Sequence, residues 1–184
     1  MSGTLILVVG PSGSGKDTLI GGAARTLAGD GDFVFPRRIV TRPVEAGGEP
    51  HIAQTPEDFE AAEKAGAFAL SWRAHSLAYG IPGAIRGDLR AGRHVVVNVS
   101  RGVLDTARAR FDRVRIVAVT VAPEELARRL AARGREDADD IARRLERAGA
   151  YTLSGEDVHT FANQGEREAS IAAFTGLLHA IAAD

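Results

Sequence analysis

The 184-residue sequence predicts an α/β fold: a parallel β-sheet core with helices packed on both faces. Three observations carry that prediction. An apolar run near the N-terminus breaks at a glycine-rich stretch and continues as a helical pattern. Strand-like and helix-like segments then alternate to the end of the chain. The composition, 45% hydrophobic and 26% charged without a low-complexity linker, suits one compact domain over residues 1–184.

The elements follow in chain order. Residues 4–9 form a continuous apolar strand, residues 10–15 break it, and residues 16–27 suit a helix. A second strand falls in 33–40, although Pro36 interrupts a simple reading. Residues 42–54 are polar and glycine-rich and read as a loop over a site. Thr55 followed by Pro56, Glu57 and Asp58 is a helix start, with a hydroxyl to cap and a proline in the first turn. Residues 68–72 suit a short strand, 82–91 a helix, 94–99 a buried strand, 103–111 a helix and 114–121 a strand. Pro123 opens a helix that ends near Arg133 and Gly134. A further helix over 137–148 places Ile141 and Leu145 on one face, with Asp139/Arg143 and Asp140/Arg144 as i,i+4 pairs. Residues 158–161 form the last strand and 166–180 the last helix.

Composition excludes several classes. There is no cysteine, so neither a disulfide framework nor a cysteine-based metal cluster exists, and a reducing cytoplasm fits. None of the five histidines has metal-binding spacing. A formal net charge of −1 gives no reason to expect broad binding to nucleic acid or to an anionic membrane. No apolar run approaches a membrane span, and the N-terminal stretch reads as a strand, not as a signal peptide.

The glycine-rich break carries the chemistry. Gly10, Pro11, Ser12, Gly13, Ser14, Gly15 and Lys16 have the spacing of a Walker A loop, between a strand and a helix as that loop requires. Its glycines let backbone N–H groups turn toward phosphate, Lys16 brings charge to the distal phosphates, and the helix start adds its own donors. This points to binding of nucleotide phosphates, and the loop by itself leaves ATPases, GTPases and kinases open. Asp17 departs from the pattern, standing where a serine or threonine hydroxyl is usual. A carboxylate can ligate magnesium. It can equally serve only as an acidic first-turn residue stabilised by the helix dipole. Thr18 lies one residue late for the usual hydroxyl and reads as a helix or nucleotide-loop contact.

Further stretches narrow the class: TR…HIA over 41–53, ALSW at 69–72, the Tyr79-Gly80 pair, VNVSRG at 97–102, and RLAARGREDADDIARRLERA at 129–148. Together with the loop they resemble the guanylate-kinase-like branch of the P-loop kinases. Within that branch they are similar, over nearly the full chain, to the ribose 1,5-bisphosphate phosphokinases associated with phosphonate utilisation. The resemblance implies a P-loop nucleoside-triphosphate hydrolase fold with an acceptor-binding subregion near 42–92 and a mobile helical lid near 129–148. It implies transfer of the γ-phosphoryl group of ATP to the 1-phosphate of ribose 1,5-bisphosphate, giving 5-phosphoribosyl 1-diphosphate and ADP.

It also implies roles. Arg42 matches an arginine that holds acceptor phosphate, for which its bidentate fork is suited; the plain alternative is a surface ion pair. Arg129, Arg133 and Arg144 match lid arginines that approach the nucleotide or the transferred group, and Arg135 could assist. Arg128, Arg143 and Arg147 fit a solvated helix face. Tyr79 and Gly80 match an acceptor-site pair, His51 falls near a family tyrosine that contacts acceptor phosphate, and Asn163 resembles a residue beside the adenine pocket. Ser71 stands where guanylate kinases carry a base-recognising carboxylate. Glu45 stands near their second phosphate-binding arginine, and Asn98 and Ser100 replace acidic strand-end positions. The joint changes point away from GMP, with Asn98 and Ser100 either binding ribose hydroxyls or satisfying backbone at the strand end. No general base stands out. A GMP kinase and a catalytically silent interaction module are the competing readings; the intact loop and the lid arginines disfavour the second. A homodimer is compatible with the sequence, and no feature requires it.

Overall fold

The computed structural model describes residues 2–43, 50–133 and 153–184. The helix expected over 137–148 lies outside them, as do Glu45, Arg135 and Arg144. Arg133 is placed as the last residue of its helix, with no side chain described.

The first strand, β1 (Leu5–Val9), has no exposed residue. It lies at the centre of a five-stranded, wholly parallel sheet, where both faces must be covered, so a continuous apolar run is what the position demands. Around it stand β2 (Phe33–Val34), β7 (His94–Asn98), β8 (Val114–Thr120) and β9 (Val158–Ala162), in the order β2-β7-β1-β8-β9. Alternate residues of β1 point to opposite faces. Leu5, Leu7 and Val9 pack toward α3 (Ile85–Arg90) and α4 (Leu104–Arg110), through Ile85, Leu89, Leu104 and Ala107. Ile6 and Val8 pack toward α1 (Lys16–Thr26) and the C-terminal helix α6 (Arg167–Ala183), through Leu19, Ala23, Phe174 and Leu178. The expected helices on both faces are thus two separate apolar layers.

A second, four-stranded sheet was not expected. It comprises β3 (Ile39–Val40), β4 (Ile52–Ala53), β5 (Phe68–Ala74) and β6 (Leu77–Pro82) in the order β4-β3-β6-β5, with antiparallel pairing of β6 to both β3 and β5. Two corrections follow. The single strand expected over 33–40 is two strands in different sheets, separated at the segment holding Pro36, which cannot donate to a ladder. Pro82 closes β6 instead of opening a helix, and the helix starts at Ile85. The β5–β6 hairpin turns through His75 and Ser76, both left-handed at φ 51° and 62°. Neither is the asparagine or glycine that usually marks such a turn, which hides β6 in the sequence.

Helix α2 (Pro56–Lys64) begins as read: Thr55 Oγ1 accepts from the Asp58 N–H at 3.1 Å, and Pro56 occupies the first turn. Its Phe59 is fully buried against Phe68 and Ala78, a third apolar cluster that fastens α2 to one face of the second sheet. Helix α5 (Pro123–Arg133) follows β8 and buries Leu126 and Leu130.

Candidate active site

The chain turns sharply at the end of β1: its connection through α1 leads to β2 at one edge of the sheet, whereas that of β7 through α4 leads to β8 on the other side of β1. In open parallel sheets this switch point, at the carboxyl ends of the strands, is where a crevice forms. The loop 10–15 fills it. Gly13 and Gly15 are left-handed at φ 89° and 86°. A Cβ on Gly13 would stand 2.9 Å from Leu126 of α5, and one on Gly15 would stand 2.5 Å from the Asn163 amide nitrogen. The backbone angle would strain any other residue at either position, and its Cβ would also have to displace the neighbouring side chain. Gly15 is also the N-cap of α1 and leaves the helix's first N–H groups without a side-chain cap.

Lys16 Nζ donates to the carbonyls of Gly10 (2.8 Å) and Pro11 (2.9 Å) and lies 3.5 Å from Ser14 Oγ. Its ammonium is held across the loop, within the ring of backbone that a phosphate would meet. Ser14 is fully buried; its carbonyl accepts from Asn163 Nδ2 at 2.7 Å, while the Asn163 N–H donates to Thr120 O and extends the β8–β9 ladder. Asn163 thus ties the end of β9 to the loop. Arg129 stands beside it: Nε donates to Glu125 at 2.6 Å, Nη2 donates to the Asn163 carbonyl at 3.2 Å, and Nη1 lies 3.7 Å from where a Gly15 Cβ would be. The guanidinium of Arg129, with that of Arg128, holds the Glu125 carboxyl below its ordinary range. Pro11 is half-buried, whereas Ser12, Asp17 and Thr18 are exposed.

Asp17 meets Asn98. The Asn98 amide, at the end of β7, donates to Asp17 Oδ1 at 2.8 Å. The Asn98 carbonyl in turn accepts from Arg38 Nη1 at 3.2 Å. Arg38 had no assigned role in the sequence, and its only signal there is the basic pair Arg37-Arg38 before β3. Its guanidinium carbon lies 5.3 Å from the Tyr79 ring centre and 5.9 Å from that of Trp72. Trp72 and Tyr79 are cross-strand neighbours on β5 and β6, stacked at 5.3 Å with planes 6° apart. A cation over such faces is favourable. The second sheet thus presents an aromatic and cationic face toward the parallel sheet, and Arg38 joins it to the loop through Asn98.

Ser100 opens a single 3-10 turn (Arg101–Val103) just after β7; its carbonyl accepts from the Val103 N–H at 3.1 Å. Thr41 is fixed by exchange with Ala78: its N–H donates to the Ala78 carbonyl at 3.1 Å, and its Oγ1 accepts from the Ala78 N–H at 2.8 Å. That anchors Arg42. His51, 7% exposed, faces Arg42 with both ring nitrogens: Nε2 lies 2.9 Å from the Arg42 carbonyl and Nδ1 lies 3.5 Å from Nη2. A carbonyl only accepts and a guanidinium only donates, so the arrangement calls for the proton on Nε2. Arg42 Nε is buried and has no hydrogen-bond partner among the described residues. His51 therefore holds Arg42 in place.

The sequence-predicted acceptor residues do not all share one surface. Tyr79 lies with Trp72, while Ser71 and Gly80, paired across β5 and β6, point to the opposite face. There the Ser71 hydroxyl bonds Glu63 of α2, which Arg73 also grips in a bidentate pair; Arg73 first and Ser71 second hold the Glu63 carboxyl below its ordinary range. A Cβ on Gly80 would meet the Phe68 ring at 2.8 Å.

The AAA domain family profile matches residues 6–158. Over 164 residues, 89% of this chain and 90% of the relative, the sequence is 48% identical to ribose 1,5-bisphosphate phosphokinase PhnN of Agrobacterium fabrum. Over 177 residues, 96% of this chain and 93% of the relative, it is 51% identical to the protein of that name from Acidiphilium cryptum. Among solved structures it resembles a guanylate kinase from Anaplasma phagocytophilum, with a TM-score of 0.66 over 97% of this chain and 85% of the other. At 18% identity that likeness shows the fold alone.

Proposed function

The chain belongs to the ribose 1,5-bisphosphate phosphokinase family, and from that premise we propose that it transfers the γ-phosphoryl group of ATP to ribose 1,5-bisphosphate. An oxygen of the acceptor's 1-phosphate bonds the γ-phosphorus while the bond to the β-bridging oxygen breaks. The products are 5-phosphoribosyl 1-diphosphate and ADP. The observation that carries this reading is the extent of the likeness: 51% identity covers 96% of the chain, so it includes the acceptor-side sheet as well as the loop every P-loop enzyme shares.

Phosphoryl transfer asks the protein mainly for position and positive charge. Loop N–H groups from Ser12 to Thr18 receive the ATP phosphates, and Lys16 exchanges its bonds to the Gly10 and Pro11 carbonyls for phosphate oxygens. Arg129, already beside Gly15, adds charge at the helix start. Arg42, steered by His51 and holding a buried unpartnered donor, takes the acceptor phosphate, with the Tyr79 hydroxyl as a second donor. Arg133 and Arg144 complete the charge around the transferred group. Asn163 shapes the loop from beneath the nucleotide, and Ser100, just after β7, offers its hydroxyl to the sugar. Ser71 and Gly80 support the acceptor sheet from its far face.

Magnesium fits this site through Asp17, a hard oxygen donor at the loop's end. Magnesium keeps several waters and is held largely by substrate phosphates, so a single carboxylate is a sufficient contribution from the protein. The ion's contribution when bound is to neutralise charge on the β- and γ-phosphates. No helix among the described residues is long and apolar enough to cross a membrane.

The test is kcat/KM for ribose 1,5-bisphosphate and for GMP, measured side by side with ATP and magnesium. The sugar bisphosphate is the better acceptor by about 100-fold or more, as expected where a site's polar groups are built for one acceptor. Preference for GMP reverses the assignment.

A further inference from the structure

P-loop enzymes ordinarily divide the protein's share of magnesium binding between a hydroxyl just after the loop lysine and a carboxylate supplied from elsewhere at the site. Position 17 has a carboxylate where the hydroxyl is expected, and the end of β7 has the neutral Asn98. In the folded chain these two residues, 81 positions apart, touch at 2.8 Å. We infer that they form one exchanged unit: Asp17 carries the site's carboxylate from the helix start, and Asn98 is its positioning residue.

The donor chemistry fixes the arrangement. An ionised carboxylate only accepts, so the Asn98 amide must turn its nitrogen toward Oδ1, which occupies one oxygen and leaves the other for a cation or its water. Asn98 is itself set by Arg38, whose guanidinium holds the Asn98 carbonyl and rests against Tyr79. Asp17 is exposed, where a hydrogen bond between side chains adds little to stability. Positioning accounts for a contact that a mere first-turn acid would not need. The inference rests on the reading of Asp17 as a magnesium residue given above.

The probe is Mn²⁺, followed by electron paramagnetic resonance as it binds the full chain in the presence of ADP; thermal unfolding is recorded without metal. Asp17→Asn weakens Mn²⁺ binding. Asn98→Ala weakens it by about 10- to 100-fold, as loss of a ligand's orienting partner does, with unfolding near that of the natural chain. Asp17→Asn combined with Asn98→Asp swaps amide and carboxylate across the same hydrogen bond and recovers most of the binding that Asp17→Asn loses. Asn98→Ala with a lowered unfolding temperature and unchanged Mn²⁺ binding makes the contact structural and overturns the inference. So does a double variant that folds but binds as weakly as Asp17→Asn. Unchanged binding in Asp17→Asn overturns the magnesium reading itself, a result distinct from the other two.

Discussion

Lys16 lies with its ammonium on the carbonyls of Gly10 and Pro11, so the loop carries its charge preset at the place where phosphate enters. Those carbonyls are only partly buried, and water can replace the lysine there, so Lys16→Ala changes stability by about 1 kcal/mol or less. It lowers kcat/KM by about 100-fold or more, the scale for losing one preorganised group around a transferring charge. Steady-state kinetics together with a thermal melt check both halves, and undiminished turnover rejects the mechanism. The sequence makes this residue legible because spacing and context are local. It makes Arg38 and the His51–Arg42 pairing illegible, because each depends on contacts across a fold. Arg38 acquires meaning only when β7 and the β5–β6 hairpin converge on it. His51 was expected as a phosphate contact; the structure adds that both of its ring nitrogens face Arg42. Ser71, singled out as a replaced base-recognition residue, turns to α2 because a one-residue step along a strand changes face.

Among elements, the central strands are legible and the short ones are not. β1, β7 and β8 are buried in a parallel sheet and announce themselves as apolar runs, whereas β2, β3 and β4 have two residues each and gain their pairing from tertiary contact. At the opening of β7 the His94 ring is packed against Phe33, and Nδ1 accepts from the Thr4 N–H at 3.2 Å. Burial, followed by the charge of Arg113, pushes its pKa below the ordinary histidine value, while Asp32 and Asp30 oppose that weakly. The unfolded chain therefore takes up the proton more readily than the folded one. The resulting stability is full above the unfolded value, about 6.5, and is lost as pH falls through the lowered folded value. Melting temperature is expected to drop between about pH 7 and pH 5, and His94→Gln to flatten that drop relative to the natural chain. Identical slopes for the two proteins rule out His94 as a source.

At the scale of the whole molecule, two sheets divide the work. The parallel sheet ends in the nucleotide loop, and the mixed sheet brings Arg38 and Tyr79 to the end of β7, joined to the loop through Asn98 and Asp17. The strand–helix alternation made the first sheet readable. The second stayed hidden because its hairpin turn lacks the usual residues and Pro36 masks a crossing between sheets. The division of labour makes one claim above the others: the phosphate is added to the 1-phosphate of a ribose bisphosphate and nowhere else. Phosphorus NMR of ribose 1,5-bisphosphate incubated with the protein, ATP and magnesium reads that directly. A new pair of mutually coupled diphosphate signals is expected to replace that of the 1-phosphate, with an unchanged 5-phosphate signal and ADP formed in equal amount. A coupled pair arising from the 5-phosphate, or ADP formed with inorganic phosphate while both sugar signals stay unchanged, contradicts it.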